Sequence, residues 1–282
     1  MKFALCNEVL QPQPFDQQCV AAAAMGYDAL EVAPFTLADN PLLISDAQAA
    51  QFRRMAEDAG VKISGLHWLL VAPTGLSVVD ASYAVRQRTV SVMQRMVELC
   101  ALMGGQYLVH GSPKQRSVPA GSSREQALAR ATECLARVAV AAQGSGVVYC
   151  IEPLSTRETD LINTVEEAVA VVDVIGSPGL KTMIDCCAAG QVETEPIEAL
   201  MRRWMPSGHI AHVQVNDPNR RGPGQGDMRF ATILAAIAQL RASGDYSGQI
   251  AVEPFDYVPD GPTCAARAIG YLRGIVEGLA NG

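Results

Sequence analysis

The run VVYCIEP, Val147–Pro153, decides how the chain is read. Its apolar residues are mostly β-branched or aromatic and too few to build a helical face, so the run reads as a buried strand. The strand ends in a carboxylate and a proline. A proline after Glu152 keeps that residue extended and closes the hydrogen-bond ladder there. The same ending recurs in QIAVEPF, Gln249–Phe255. Glu152 and Glu253 are therefore each expected at the mouth of a strand.

Outward from these two, the same kind of run recurs: FALCNEV from Phe3, ALEVAP from Ala29, KISGLHWLL from Lys62, YLVHGS from Tyr107, KTMIDCC from Lys181 and IAHVQVND from Ile210. Between them lie segments of helical period, such as YAVRQRTVSVMQRMVELCALM from Tyr83, which puts Met96, Leu99 and Met103 on one stripe as expected core. Eight strand and helix alternations without a Pro/Gly/Ser-rich linker predict an α/β fold of the (β/α)8 TIM barrel type, with residues 1–282 as one domain. A doubly wound sheet is the weaker alternative. It needs a glycine-rich turn after its first strand, and LQPQPFDQQ, Leu10–Gln18, holds no glycine.

Composition bounds the function. A net charge of −7 and a pI near 5.2 argue against nucleic acid as a partner, because phosphate backbones call for clustered Lys and Arg. No apolar run reaches the roughly 18 residues of a membrane span, and the N-terminus lacks the apolar core and cleavage site of a leader. Eight dilute cysteines without a C-x-x-C spacing read as buried thiols, and a cytoplasmic location is expected. A homo-oligomer, dimer or tetramer, is among the expectations.

In a barrel the chemistry lies where the strands end. The polar residues there are Glu8, Glu31, His67, His110, Glu152, Asp185, Gln214 with Asn216 and Asp217, and Glu253. A buried glutamate is costly unless paired or bound to a cation, and the flanks of Glu152 and Glu253 offer few cations. With Asp185 and the Gln214 carbonyl they form an oxygen-rich set without thiolates, suited to one hard divalent ion, Mn²⁺ or Mg²⁺, with Co²⁺ or Zn²⁺ as further candidates. Gln214 reads nearly as well as a barrel-lining amide held by hydrogen bonds. His67 and His110 could each meet substrate hydroxyls or be satisfied in the core, and Trp68 could wall a sugar face.

Taken together, IEP, MID, HVQVNDPNRRGPGQGDMRF and VEPF resemble the xylose isomerase-like barrel superfamily over nearly the whole chain. The sugar isomerases and 3-epimerases related to D-tagatose and D-psicose 3-epimerases, and hydroxypyruvate isomerase, are the members most like it. The resemblance implies metal ligands at Glu152, Asp185, Gln214 and Glu253, and substrate contacts at Glu158 and Arg220. Ketose 3-epimerases usually carry His where Gln214 stands, as well as a substrate-binding His where Ala188 stands. These departures leave the substrate open.

Such a site suits proton transfer next to the carbonyl of a ketose or keto-sugar. The expected function is a metal-dependent sugar isomerase or epimerase working through an enediolate, with Glu152 and Glu253 as the acid/base pair. The alternatives are a keto-inositol or keto-sugar dehydratase or lyase of the same superfamily, and a non-catalytic sugar-binding barrel. A zinc-cluster DNA-repair enzyme would need more than the four histidines present.

Overall fold

The computed structural model describes residues 1–281. Its strands β1 (Phe3–Cys6), β2 (Ala29–Val32), β3 (Lys62–Leu66), β4 (Tyr107–His110), β5 (Val148–Ile151), β6 (Leu180–Asp185), β7 (Ile210–Val215) and β8 (Gln249–Val252) follow the eight expected runs. They are parallel, each pairs with the next in sequence, and β8 closes on β1 to form a barrel.

The outer layer comprises α1 (Phe15–Met25), α2 (Asp46–Asp58), α3 (Tyr83–Leu102), α4 (Arg124–Ser145), α5 (Val165–Ile175), α6 (Cys186–Val192), α7 (Ile197–Trp204), α8 (Phe230–Ala242) and α9 (Gly261–Asn281). Local chemistry sets their starts. Ser45 with Gln48, and Ser123 with Gln126, form capping boxes that satisfy the first free N–H groups of α2 and α4. The Met96, Leu99 and Met103 stripe of α3 is buried in the main core. Among the described residues, no helix is long and apolar enough to cross a membrane.

Two register shifts interrupt the pairing of the barrel strands. One falls between Leu30 and Glu31 on β2, the other between Thr182 and Met183 on β6. The unpaired residues are Ser64 on β3 and Ala211 on β7, and such bulges re-aim the side chains beyond them on those strands, where His67 and Gln214 follow. The strands are also shorter than the runs that announced them. Asn7–Leu10 winds into a 3₁₀ turn that carries Glu8 to the rim, and His67 lies one residue beyond β3.

Candidate active site

Glu152, Asp185 and Glu253 meet at the C-terminal mouth of the barrel, where one oxygen from each lies within 4.8 Å of the others. Strand pairing brings Gln214 alongside, since Asp185 is the partner of Gln214 on β7 and Gln214 that of Ala251 on β8. All four side chains are buried. Asp185 caps α6 by accepting the Ala188 N–H on Oδ1 at 2.6 Å. Its Oδ2 has no hydrogen-bond partner among the described residues, and neither do Gln214 Oε1 and Glu253 Oε2. Gly111 backs Glu152, because a Cβ at that position would collide with Glu152 Oε2.

Crowding of buried carboxyls sets their acidity. Burial, then the Glu253 and Asp185 charges, push Glu152 well above the usual carboxylate range. Burial likewise raises Asp185 to about 7, against its helix-capping bond. It lifts Glu253 to about 8, although His67 pulls the other way. A bound cation would reverse these shifts by favouring the ionised oxygens.

His67 is the nearest counter-charge. Its Nδ1 lies 3.0 Å from Glu253 Oε1 and its Nε2 3.0 Å from Glu8 Oε2. Burial alone would lower its pKa, but the Glu8 charge and the bonds to Glu253 and Glu8 raise it well above the usual imidazole value. His67 thus orients Glu253 Oε1 and leaves Oε2 for the site.

Behind these residues lies a network built on Glu31, fully buried in the barrel. Gln214 Nε2 donates to Glu31 Oε1 at 2.6 Å, and the Tyr107 hydroxyl donates to Oε2 at 2.5 Å. His212 Nε2 lies 2.8 Å from the same Oε2, without the alignment of a hydrogen bond. Burial works to raise the Glu31 pKa, yet His212 and then His67 and Tyr107 outweigh it and hold the carboxyl at about 2.

Two adjoining clefts open above the carboxylates. One is lined by Trp68, Val109, Leu154 and Phe255 together with His67, Glu152, Glu158 and Glu253. The other adds Asp185, Ala188 and Arg220. Trp68 and Phe255 pack edge to face at 6.4 Å. Glu158 sits between the clefts and accepts from the Ser155 hydroxyl at 2.8 Å. Arg220 stands at the rim, half exposed, with its guanidinium 4.8 Å from the Phe255 ring centre.

His110 lies elsewhere. It is buried, its Nδ1 pairs with the Tyr149 hydroxyl at 2.9 Å, and it lines neither cleft. Burial and the nearby Arg116 push its pKa down to about 3, so it is neutral.

Several residues gain a role that the chain alone did not reveal. Arg116, in the loop after β4, is 1% exposed, and none of its guanidinium nitrogens has a hydrogen-bond partner among the described residues. Burial lowers its pKa to about 10 while the Glu152 and Glu158 charges act to raise it. It is the buried cation that Glu152 lacked in its sequence flanks. Asn216 and Asp217, which follow β7, serve the backbone. Asn216 accepts the Cys187 N–H and donates to the Glu253 carbonyl, both at 2.9 Å. Asp217 accepts the Met228 N–H at 2.8 Å, and a Cβ at Gly226 would strike its carboxylate.

The sequence model of the xylose isomerase-like TIM barrel family matches residues 19–275. D-psicose 3-epimerase from Agrobacterium fabrum is 29% identical over 243 residues, which cover 83% of this chain and 76% of that protein. A 2-oxo-tetronate isomerase from Cupriavidus necator is 30% identical over 158 residues, 55% of this chain and 56% of that one. Among solved structures, a D-psicose 3-epimerase crystallised in the presence of D-fructose superposes with a TM-score of 0.82 at 21% identity, covering 98% of this chain and 99% of that chain.

Proposed function

The chain belongs to the xylose isomerase-like TIM barrel family, and from that premise we propose that it is a divalent-metal-dependent isomerase or epimerase of a ketose or keto-sugar. The observation that carries the reading is the set of oxygen donors Glu152, Asp185, Gln214 and Glu253 ending four consecutive strands in a buried site. They fit a hard cation. Three of their oxygens lack any hydrogen-bond partner among the described residues, and no thiolate or imidazole competes within the set. Bound there, the cation supplies polarisation of the substrate carbonyl and its neighbouring hydroxyl.

The rest of the chemistry belongs to the side chains. Glu152 and Glu253 each lie one residue beyond β5 and β8, so they flank whatever lies between them. One takes the proton from the carbon beside the carbonyl and the other returns it from the opposite face. His67 fixes Glu253 for this task, while Gly111 lets Glu152 approach the mouth and Arg116 offsets its charge. Trp68, Leu154 and Phe255 form an apolar wall for the carbon face of a sugar and exclude water from the reacting atoms. Glu158 and Arg220 reach the oxygens farther out along the substrate. The eight buried free thiols suit a reducing compartment.

The test is metal-dependent exchange with solvent deuterium. Protein stripped of metal and reloaded with Mn²⁺ is incubated in D₂O with D-psicose, L-ribulose, other free ketoses, keto-inositols, their phosphates and 2-oxo-tetronate. Mass spectrometry should find Mn²⁺-dependent deuterium at the carbon next to the carbonyl of at least one of them. Bound Mn²⁺ with no exchange in any compound would leave a sugar-binding barrel and end the catalytic reading.

A further inference from the structure

A glutamine is an awkward metal ligand. Its amide has an oxygen end that can ligate and a nitrogen end of nearly the same shape that cannot, and a half-turn about the last bond exchanges them. A site that relies on Gln214 therefore needs something to choose between the two. We propose that Glu31 is the positioning residue that makes this choice, holding the Gln214 amide by its nitrogen so that its oxygen faces the cation. The proposal rests on the metal-dependent reading of the same site.

The geometry gives Glu31 what the task requires. Both Glu31 oxygens already take donors, the Tyr107 hydroxyl on Oε2 and the Cys6 S–H on Oε1, so the carboxyl offers the amide an acceptor and binds its NH₂ end. Glu31 Oε1 takes Gln214 Nε2 at 2.6 Å, and Gln214 Oε1 is left buried without a partner among the described residues. Strand register pairs Gln214 with Asp185, whose Oδ2 is also unpartnered among the described residues.

Glu31 is itself held from several strands. The Tyr107 hydroxyl of β4 donates to Oε2 at 2.5 Å, and the same hydroxyl lies 3.0 Å from the Ser64 hydroxyl of β3. The Tyr107 ring stacks on His212 of β7 at 4.0 Å, and His212 Nε2 lies 2.8 Å from Oε2. Cys6 of β1 donates its S–H to Oε1 at 3.5 Å. With both oxygens engaged, the carboxylate has no freedom to turn away from the amide. Outer partners of this kind commonly contribute about 10- to 100-fold to metal affinity.

A merely structural Glu31 predicts something different, and an exchange of the two residues separates the readings. In Glu31→Gln the facing groups are two amides, which pair in either orientation, so the oxygen of Gln214 loses its assignment. In Glu31→Gln/Gln214→Glu the charge is conserved and the ligand becomes a carboxylate, which presents oxygen whichever way it turns. The measurement is Mn²⁺ binding to the metal-stripped full chain by calorimetry, with melting temperature followed in parallel.

We expect the wild type to bind one Mn²⁺ per chain, Glu31→Gln to bind it about 10- to 100-fold more weakly, and the double variant to recover most of that loss. Wild-type affinity in a folded Glu31→Gln would overturn the proposal. So would a double variant that folds yet binds no better than the single one. A wild type that binds no Mn²⁺ would overturn the functional reading as well, which distinguishes the two failures. Should Glu31→Gln fail to fold, a crystal structure of the wild-type Mn²⁺ complex decides. Gln214 Oε1 on the ion with Nε2 on Glu31 is expected, and an amide turned away from Glu31 refutes the idea.

Discussion

Glu152 and Glu253 share a sequence context and differ in what touches them. Glu253 has one oxygen bound to His67, while Glu152 lies against Gly111 with the Arg116 charge nearby. Their acid/base duties should therefore separate on substitution. Glu152→Gln and Glu253→Gln are each expected to slow epimerisation by about 10²- to 10⁴-fold, the usual share of a positioned proton donor or acceptor. One of them should still exchange the substrate proton with solvent, since its remaining carboxylate serves one face of the carbon. NMR of substrate incubated in D₂O checks this, and wild-type epimerisation by both variants would reduce the pair to structural residues. The paired IEP and VEPF endings made these two residues legible in the chain. Arg116 was not, because only its burial beside Glu152 separates it from an ordinary loop arginine.

At the scale of elements, periodicity made all eight strands readable, whereas the polar residues after β7 were legible only as a cluster. Asn216 and Asp217 stand in the sequence only among the polar residues that end the seventh run. Both satisfy backbone groups brought in from elsewhere, and Asn216 joins the start of α6 to the end of β8. The partners of Asn216 lie 29 and 37 residues away in the chain, beyond anything local pattern can report. The Glu31 and Gln214 pair, 183 residues apart, was hidden for the same reason. Asn216 spans from the element that Asp185 caps to the backbone of Glu253, so it sets the spacing of two proposed ligands. Asn216→Ala leaves a buried N–H and a buried carbonyl without partners, a loss of about 1–3 kcal/mol each at most. Denaturant unfolding should show lower stability, and calorimetry weaker Mn²⁺ binding. Lost stability with unchanged Mn²⁺ affinity would mean that the spacing is set elsewhere.

At the scale of the molecule, closing the barrel gathers carboxylates from across the chain into one buried mouth and thereby couples folding to protons and to metal. Asp185 moves from an ordinary 3.8 to about 7 and Glu253 from 4.5 to about 8. Folded pKa values above the unfolded ones mean that the metal-free fold holds extra protons between about pH 4 and pH 8. That contribution to stability is complete below about pH 4 and is lost progressively as the pH rises toward 7 for Asp185 and 8 for Glu253. A cation runs the other way, because it binds the deprotonated oxygens and competes with protons below those values. The gap in melting temperature between protein with Mn²⁺ and protein with a chelator should therefore widen with pH. With Mn²⁺ at about a hundred times its dissociation constant at pH 8, the stabilisation is about 2.7 kcal/mol, or roughly 5–10 °C. At the same Mn²⁺ concentration the gap should shrink steadily toward pH 5.5. Scanning calorimetry across that range decides the matter, and a gap that stays constant with pH would show that these carboxyls do not hold the ion.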